Sequence, residues 1–507
     1  MKYDHLVIGA GVSGISTALL LARFGYRVAL LEQASRPAPL IDGFVRNGVY
    51  FEGGFHYAGG LEHGGVLDRN LRLLGVADDL QTAAFDPQAY DTVIQPDTGL
   101  KFSFPQGYAA LSQTLQEHFP EQREAVTGYL ERLQLVTGKL PYYNSRAAVS
   151  PLDLASLHEY SLQNVLDDMR ITGNLQTLLQ VHCLLYGARP AEIPFAIHAG
   201  VVDGYYRSAS TFKGGGRALV KALVAALSRY GVDLFCRRRV TGIELTAAGT
   251  VAGVSCAGGE HFEAANCIAT LHPQAMLRLV PERAFRPVYR RRLNGLAETA
   301  GADIIFLRCE RQRGSALGGR CEHQWENLLA GHNFFFLPPS KADDLLDFAL
   351  PLKERLLYLN FAGSGGFPGN QDCGITAILP APAGTGTDAG FDRRQYDDKK
   401  AETGELVCER IAGLLPELAG LRVECVATTK TLQRINLSPK GSLYGVKHMV
   451  GQFNPAPKTR LTNFYLAGQA VAAPGLLGAI TSALLAVGEI VGHEKVQTLR
   501  SEVICDG

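Results

Sequence analysis

The chain of 507 residues has no excess of charge of either sign. Lysine plus arginine and aspartate plus glutamate each number 49, so the formal net charge at pH 7 is zero. Proteins that bind nucleic acid through bulk electrostatics are strongly basic, and this balance argues against that class. Charged residues make up only 19% of the chain and hydrophobic residues 46%. This composition excludes a disordered protein and predicts an extensive apolar interior.

The sequence also lacks the patterns of a disulfide framework or a metal site. None of its ten cysteines forms a CxxC pair or has the tight spacing of zinc ligands. We therefore expect reduced thiols and no metal. No apolar run of signal-peptide length precedes the first predicted strand. The expected location is the cytoplasm, with peripheral membrane contact as an open alternative.

A long uncharged stretch, residues 461–488, reaches the length of a membrane span. It contains Pro474 and several glycines, and its first part has the pattern of a strand. These features favour a buried strand, turn and helix over a transmembrane helix.

Glycine is abundant, and the first glycine motif lies between a predicted strand and a predicted helix. Gly9, Gly11 and Gly14 have the spacing GxGxxG. The first glycine permits a sharp turn, the second lets the backbone approach a pyrophosphate, and the third allows close packing of the helix. Glu32 ends the next predicted strand, where its carboxylate would accept hydrogen bonds from a ribose. The motif predicts a dinucleotide site and does not distinguish FAD from NAD.

A second turn near the C-terminus favours a flavin. Gly468 follows a predicted strand, and a helix is expected to start near Pro474–Gly475. The positive end of this helix dipole would stabilise negative charge on a bound flavin ring.

Four further segments carry a family resemblance. They are GVYFEGGFHYAGG (48–60), IPFAIHAGVVDGYYRSASTFKGGGRAL (193–219), GSLYGVKH (441–448) and YLAGQAVAAPGLLGAITSALLA (465–486). In these segments, and in this order, the chain resembles the phytoene desaturase, carotenoid isomerase and retinol saturase group of FAD-dependent oxidoreductases. Within the group it is most similar to the retinol saturase-like branch. The resemblance spans nearly the whole chain.

The resemblance implies FAD as the cofactor and assigns residues to it. The ADP part would meet Gly9, Gly11, Gly14, Glu32, Arg36 and the backbone of Val240, while Gly53, Gly54, Gly468, Gln469 and Gly478 would lie near the ribityl chain and ring. No second GxGxxG is present, so an external electron donor or acceptor is expected. The chain departs from the family at three places. Arg36–Leu40 replaces a Gly-Gly pair, and Glu52 and Ala470 each replace an aspartate.

The order of predicted elements implies an α/β fold in which two domains interleave. We expect a Rossmann-type FAD-binding domain and a mixed sheet-plus-helix substrate domain, as in two-domain flavoproteins of the glutathione reductase and amine oxidase type. The FAD-binding domain is assigned to residues 1–80, 211–300 and 451–507. The substrate domain is assigned to residues 81–210, expected to be helical, and 301–450. Predicted strands within the middle FAD segment are 232–245, 251–256, 261–263 and 267–270.

Reduction of a C=C bond requires a hydride, which a reduced flavin supplies, and a proton, which a nearby acid or water supplies. The candidates for the catalytic role are His56, His198, Tyr205, Tyr444 and His448. Tyr57 and Tyr206 are further candidates, whereas His182 lies on an apolar helix and is expected to be a core residue.

The resemblance favours saturation of a polyene or isoprenoid lipid. Desaturation, reduced-flavin-dependent cis–trans isomerisation, and a non-enzymatic flavin or lipid carrier remain open. An apolar substrate tunnel is expected from the runs 175–186, 333–338 and 355–361, with ordinary core as the alternative. The arginine clusters 237–239 and 290–292 are either solvated or in contact with anionic lipid.

Overall fold

A computed structural model describes residues 2–143, 159–310, 332–342, 344–361, 372–384, 392–418 and 420–505. The strands are β1 (Lys2–Ile8), β2 (Val28–Leu31), β3 (Phe44–Arg46), β4 (Val49–Phe51), β5 (Ala58–Gly59), β6 (Thr82–Ala84), β7 (Asp91–Gln95), β8 (Leu100–Phe104), β9 (Ala209–Phe212), β10 (Asp233–Phe235), β11 (Val240–Leu245), β12 (Val251–Cys256), β13 (His261–Ala269), β14 (Gly301–Glu310), β15 (Asn333–Phe336), β16 (Leu357–Asn360), β17 (Asp372–Ala381), β18 (Arg422–Ala427) and β19 (Phe464–Leu466). The α-helices are α1 (Val12–Arg23), α2 (Val66–Leu73), α3 (Tyr108–His118), α4 (Arg123–Thr137), α5 (Leu162–Asp168), α6 (Gly173–Gln180), α7 (Phe195–Arg207), α8 (Gly215–Arg229), α9 (Pro273–Leu279), α10 (Pro287–Asn294), α11 (Arg393–Leu414), α12 (Thr429–Asn436), α13 (Gly475–Val491) and α14 (His493–Cys505).

The first sheet gathers strands from the two ends and the middle of the chain. Its order is β10-β2-β1-β13-β12-β11, and β19 also pairs with β13. The strands β10, β2, β1, β13 and β19 run parallel, whereas β11, β12 and β13 form antiparallel pairs. The neighbouring strands β10, β2, β1 and β13 are parallel, and β1 lies between β2 and β13. The glycine turn and α1 follow β1 directly. The expected α/β fold with a Rossmann-type unit is thus present.

Two strand predictions in this sheet are wrong. Residues 232–245 form two strands at opposite edges of the sheet, and the turn between them includes Arg237, whose backbone is left-handed with φ of 58°. Residues 261–269 form one continuous strand rather than two. Its first half pairs with β12 and its second half with β19, so one strand serves two neighbours along the same edge.

The second sheet has the order β18-β14-β17-β16-β15-β7-β8 and is antiparallel except for the β15–β7 pair. Helix α11 covers one face, where Val407 and Ile411 share a buried cluster with Phe334, Phe336 and Leu359. The segment 81–210 is mainly helical, but it also contributes β7 and β8 to this sheet. The domain boundaries expected from the sequence stay a prediction.

The uncharged stretch 461–488 folds as strand β19, a turn and helix α13. Leu484, Ala486 and Val487 are buried in the same cluster as Leu19 of α1. Among the described residues, no helix has the length and apolar character needed to cross a bilayer.

Candidate active site

A single large cavity of about 1670 Å³ joins the glycine turn of α1 to the second sheet. Ligand pockets of proteins are usually about 300–1,000 Å³ in volume. The cavity therefore has room for a dinucleotide and a second molecule side by side.

The glycine turn after β1 lines one end of this cavity. Gly9 has φ of 99°, which favours glycine, and a Cβ at Gly14 would overlap the carbonyl oxygen of Gly9. At Gly11, by contrast, a Cβ would meet no atom within 4 Å and would project into the cavity. The three glycines thus have three different roles: turn, open cradle and close packing of α1.

Glu32 and Val240 lie at the same end. The Glu32 carboxylate accepts hydrogen bonds from the backbone N–H groups of Ala10, at 2.8 Å, and Ala34, at 2.7 Å. It also lines the cavity. Because each carboxylate oxygen has two lone pairs, Glu32 can hold the turn and still face a ribose hydroxyl. Val240 lines the cavity beside it.

Arg36 does not line the cavity, and its expected position along the ADP part stays a prediction. Its guanidinium instead pairs with Asp42 at 2.5 Å and donates to the Gly43 carbonyl at 2.9 Å. Asp42 follows Arg36 by only six residues, and this local pairing fixes the loop. Within the loop, Ala38 has φ of 41° although it carries a Cβ.

Gly53 and Gly54 line the cavity and pack against that same loop. A Cβ at Gly53 would overlap the carbonyl oxygen of Leu40, and one at Gly54 would lie 2.7 Å from the Leu40 Cγ atom. The glycines are therefore required by the close approach of these two loops.

The turn between β19 and α13 lines the middle of the cavity. Gly468, Gln469 and Gly478 all contribute to the wall. A Cβ at Gly478 would overlap the Ala473 carbonyl oxygen, so the chain folds back tightly before α13. The Gln469 Oε1 atom is buried, lines this turn and has no hydrogen-bond partner. An unpaired buried acceptor at a cavity wall is the feature that a bound polar group would satisfy.

The apolar end of the cavity rests on the second sheet. Ile304, Tyr358 and Ile378 are neighbours across β14, β17 and β16, and they form its floor. Of the runs expected to line a tunnel, 333–338 contributes no lining residue, 355–361 contributes Tyr358, and 175–186 contributes Leu184 and Leu185. The expectation for 333–338 is wrong because alternate side chains of β15 are packed into cores on both faces of the sheet.

Four of the five candidate catalytic residues line the cavity: His56, Tyr205, Tyr444 and His448. Burial lowers the pKa of His56 to about 4, although a hydrogen bond with Asn360 opposes this shift. The imidazole is therefore neutral at physiological pH. Burial raises the pKa values of Tyr205 and Tyr444, so both hydroxyls stay protonated. His448 Nε2 lies 2.7 Å from the Gln469 carbonyl oxygen and ties its loop to the cofactor-side turn.

His198 does not face the cavity, and the prediction that it is catalytic is wrong in its geometry. Its Nε2 and Nδ1 atoms lie 2.6 Å from the Tyr129 hydroxyl and 2.8 Å from the Tyr186 hydroxyl, inside the helical core. Ile197, Val201 and Tyr205 line the cavity because they repeat every four residues on one face of α7. His198 and Tyr206 lie about a quarter turn further round.

A buried polar network behind the cavity wall was not predicted. Asp91 is fully buried, and its carboxylate accepts from the Tyr57 hydroxyl at 2.9 Å and from Asn333 Nδ2 at 2.7 Å. His182 Nε2 lies 3.0 Å from it, which confirms that this histidine belongs to the core. Tyr358 and Asn360 both donate to Asn333 Oδ1.

The network follows the sheet register. Asn333 is paired with Asp91 on one side and with Asn360 on the other. Through it, Asp91 supports three groups at the cavity: Tyr57 directly, Tyr358 through Asn333, and His56 through Asn360. One feature of the sequence could have indicated this network, because each of two apolar runs, NFFF and LYLN, has an asparagine at one end.

Comparisons with known proteins agree with this geometry. The sequence profile described as flavin containing amine oxidoreductase matches residues 12–346. All-trans-retinol 13,14-reductase of Rattus norvegicus is 26% identical, with 99% of this chain and 88% of that protein covered. Prolycopene isomerase 1 of an Oncidium hybrid cultivar is 26% identical over 53% of this chain and 48% of that protein. The crystal structure of an oxidoreductase from Methanosarcina mazei superposes with a TM-score of 0.63 at 15% identity, covering 96% of this chain and 99% of that one, and has a similar fold.

Proposed function

The chain belongs to the flavin containing amine oxidoreductase family, and from this premise we propose that it is an FAD-dependent enzyme that saturates a C=C bond of a polyene or isoprenoid lipid. The observation that carries the proposal is the continuity of one cavity, from the glycine turn of α1 to the apolar floor of the second sheet. The similarity to all-trans-retinol 13,14-reductase over nearly the full length of both chains supports the same reaction class.

The residues present fit FAD. Gly9 makes the turn and Gly11 leaves an open cradle at the N-terminus of α1, where free N–H groups and the helix dipole favour a pyrophosphate. Glu32 faces the ribose, and the unpaired Gln469 Oε1 atom offers an acceptor in the middle of the cavity. When bound, the flavin would supply the hydride.

The chain must also provide a proton and exclude water. Tyr205 and Tyr444 line the apolar end, and their hydroxyls hold a proton at any physiological pH because burial raises their pKa values. His56 can donate only from its neutral imidazole, because burial lowers its pKa to about 4. The floor of Ile304, Tyr358 and Ile378 orients an apolar chain and keeps water out.

The mass of the product tests the proposal. Protein loaded with FAD is reduced anaerobically with dithionite and given retinol and several carotenoids. Saturation is expected, with a product two hydrogens heavier than the substrate. A flavin-replete sample that changes none of these polyenes would contradict the proposal.

Isomerisation is the second candidate, because the chain is also similar to prolycopene isomerase 1. The same assay separates the two, since an isomerised product keeps its mass and changes only its retention time.

A matched pair of tyrosines tests the assignment of the apolar end. Tyr205→Phe removes a hydroxyl at the cavity, whereas Tyr206→Phe removes one from the side of the same helix that packs into the core. We expect Y205F to lower kcat about 10-fold or more, in line with loss of a group that assists proton transfer. We expect Y206F to keep the parent kcat. Equal rates for the two variants would exclude the Tyr205 hydroxyl from the reaction.

A further inference from the structure

An aromatic side chain stands exposed at one mouth of the cavity. Phe453 lines the cavity and is 78% exposed. A residue that lines the cavity and is also exposed lies at the opening of the cavity. Arg278 has the same two properties. A phenylalanine exposed to this extent leaves nearly a whole ring in contact with solvent, which costs free energy unless another apolar phase covers it.

Helix α10 lies next to this mouth. Arg292 on α10 donates a hydrogen bond to the Phe453 carbonyl oxygen at 2.7 Å. A shallow depression lined by Arg291, Leu296 and Phe453 joins the helix to the loop. Val288 is 62% exposed and precedes Arg291 and Arg292 on α10 by three and four residues. Because these spacings share one helix face, a second apolar side chain lies on the same surface.

The charge around the mouth is strongly positive. Residues 278–292 contain six arginines and one acidic residue, Glu282, although the whole chain is neutral. Residues 441–488, which include the loop of Phe453, contain no aspartate or glutamate. Arg283, Arg286 and Arg291 are exposed and take part in no ion pair within the described parts of the chain.

We propose that this mouth patch, formed by Val288, Phe453, Arg286 and Arg291, binds the surface of an anionic lipid bilayer. Two kinds of contact hold a protein on such a surface. Apolar side chains enter the interface, and arginines pair with acidic headgroups. The cavity would then open directly onto the membrane, so that an apolar substrate enters without crossing water. This last step rests on the proposed function.

The composition of the patch favours lipid over an acidic protein partner. An acidic redox protein would be attracted by the arginines alone, and its approach would not require exposed Phe453 and Val288. A bilayer uses both kinds of side chain, and its apolar interior is where a polyene substrate is found.

Vesicle sedimentation tests the proposal on the flavin-loaded full chain. Vesicles of phosphatidylcholine alone are compared with vesicles that contain about 30% phosphatidylserine, the kind of anionic surface that attracts basic segments. We expect binding to the anionic vesicles only, and weaker binding at high salt. Reversal of two charges in R286E/R291E is expected to lower the partition coefficient roughly 25-fold or more, at about fivefold per arginine. The double variant V288S/F453S is expected to reduce binding at unchanged charge.

Matched controls exclude general effects. R393E/R394E changes the net charge by the same amount on exposed arginines of α11, and L135S removes an apolar side chain of α4 that is also 62% exposed. Both controls are expected to bind as the parent does. Equal losses in the controls, or no binding to either vesicle, would overturn the proposal.

Two further outcomes are decisive. Charge-dependent vesicle binding that V288S/F453S leaves unchanged would also overturn it, and would point to an acidic protein partner. In F453W, quenching of the new indole by brominated lipid is expected if the ring enters the bilayer. Because these measurements need no turnover, their failure alone leaves the product-mass result intact, and a failed product-mass assay leaves the vesicle result intact.

Discussion

Glu52, where the resemblance implies an aspartate, is buried and does not line the cavity. Its carboxylate accepts from the Tyr50 hydroxyl at 3.0 Å and from the Gly216 N–H at the start of α8. Burial raises its pKa from 4.5 to about 8, although these bonds and Arg217 oppose the shift. Glu52 thus holds the N-terminus of α8, and its burial makes ionisation of its carboxyl group unfavourable.

This shift predicts the sign of a pH dependence of stability. A raised folded-state pKa means that the folded protein retains a proton which the unfolded chain releases above about pH 4.5. The contribution is therefore fully present below that pH and is lost as the pH rises to about 8, by up to about 1.4 kcal/mol per pH unit. Glu52→Gln keeps the hydrogen-bond acceptor and removes the titration.

Thermal unfolding of the parent and E52Q between pH 5 and 8.5 checks this prediction. The Tm of the parent is expected to fall relative to that of E52Q across the range. The buried histidines affect both proteins equally, so the difference isolates Glu52. Parallel curves would mean that Glu52 ionises normally.

Asp91 is the shared hydrogen-bond acceptor of three buried side chains. Asp91→Ala leaves the Tyr57 hydroxyl, Asn333 and His182 without their shared acceptor in a fully buried place. We expect the free energy of unfolding to fall by about 3–5 kcal/mol, as when one partner of a buried polar cluster is removed.

Denaturant unfolding of D91A measures this loss, with D78A as the control. The Asp78 side chain is 97% exposed and pairs with Arg72 only at 3.7 Å. Its removal is expected to cost less than about 1 kcal/mol. A D91A loss as small as that of D78A would show that the network does not stabilise the wall.

At the scale of elements, helices α1 and α13 hold the two ends of the chain together at the cofactor turn. Ser13 Oγ on α1 lies 2.9 Å from Ser482 Oγ on α13. The Ser482 hydroxyl also accepts from the Gly468 N–H at 2.8 Å. A single hydroxyl therefore links both helices to the glycine turn that lines the cavity.

Ser482→Ala leaves the buried Gly468 N–H without its acceptor and is expected to cost about 1–3 kcal/mol of stability. We also expect weaker FAD binding, measured by flavin fluorescence. Ser16→Ala is the matched control on α1, because Ser16 Oγ is buried without a hydrogen-bond partner. S16A is expected to be neutral or stabilising. An equal loss of stability in both variants would show that the hydrogen bonds of Ser482 do not stabilise the protein.

At the scale of the whole molecule, cofactor binding and folding are coupled, because the cavity wall combines residues from both ends and the middle of the chain. A ligand that binds only the folded state at about 100 times its Kd stabilises it by about 2.7 kcal/mol. We expect FAD to raise the Tm of the parent accordingly. Gly11→Val is expected to abolish this rise while leaving the flavin-free Tm unchanged, because the space beside Gly11 is open.

Gly14→Val provides the contrast. Its side chain would overlap the Gly9 carbonyl oxygen, so the flavin-free Tm itself is expected to fall. Differential scanning fluorimetry with and without FAD separates the two effects. A full FAD-induced rise in G11V would place the pyrophosphate elsewhere.

The local sequence determined the elements that depend on neighbours along the chain. Gly9, Gly11 and Gly14 predicted the turn and the start of α1, because backbone conformation and close packing are local requirements. The uncharged stretch 461–488 predicted a buried strand, turn and helix, since its glycines and Pro474 interrupt any membrane span. The four family segments predicted a flavin enzyme, and the order of the predicted elements predicted two interleaved domains.

Only the tertiary structure decided which face of each element meets the cavity. The period of α7 separates Tyr205 from His198, but the sequence does not say which side is packed into core. Arg36 found a local partner in Asp42, and the run 333–338 was covered on both faces of its sheet. Asp91 and Asn333 are 242 residues apart. Their pairing depends on strand register, which is set by the packing of the whole sheet rather than by either segment alone.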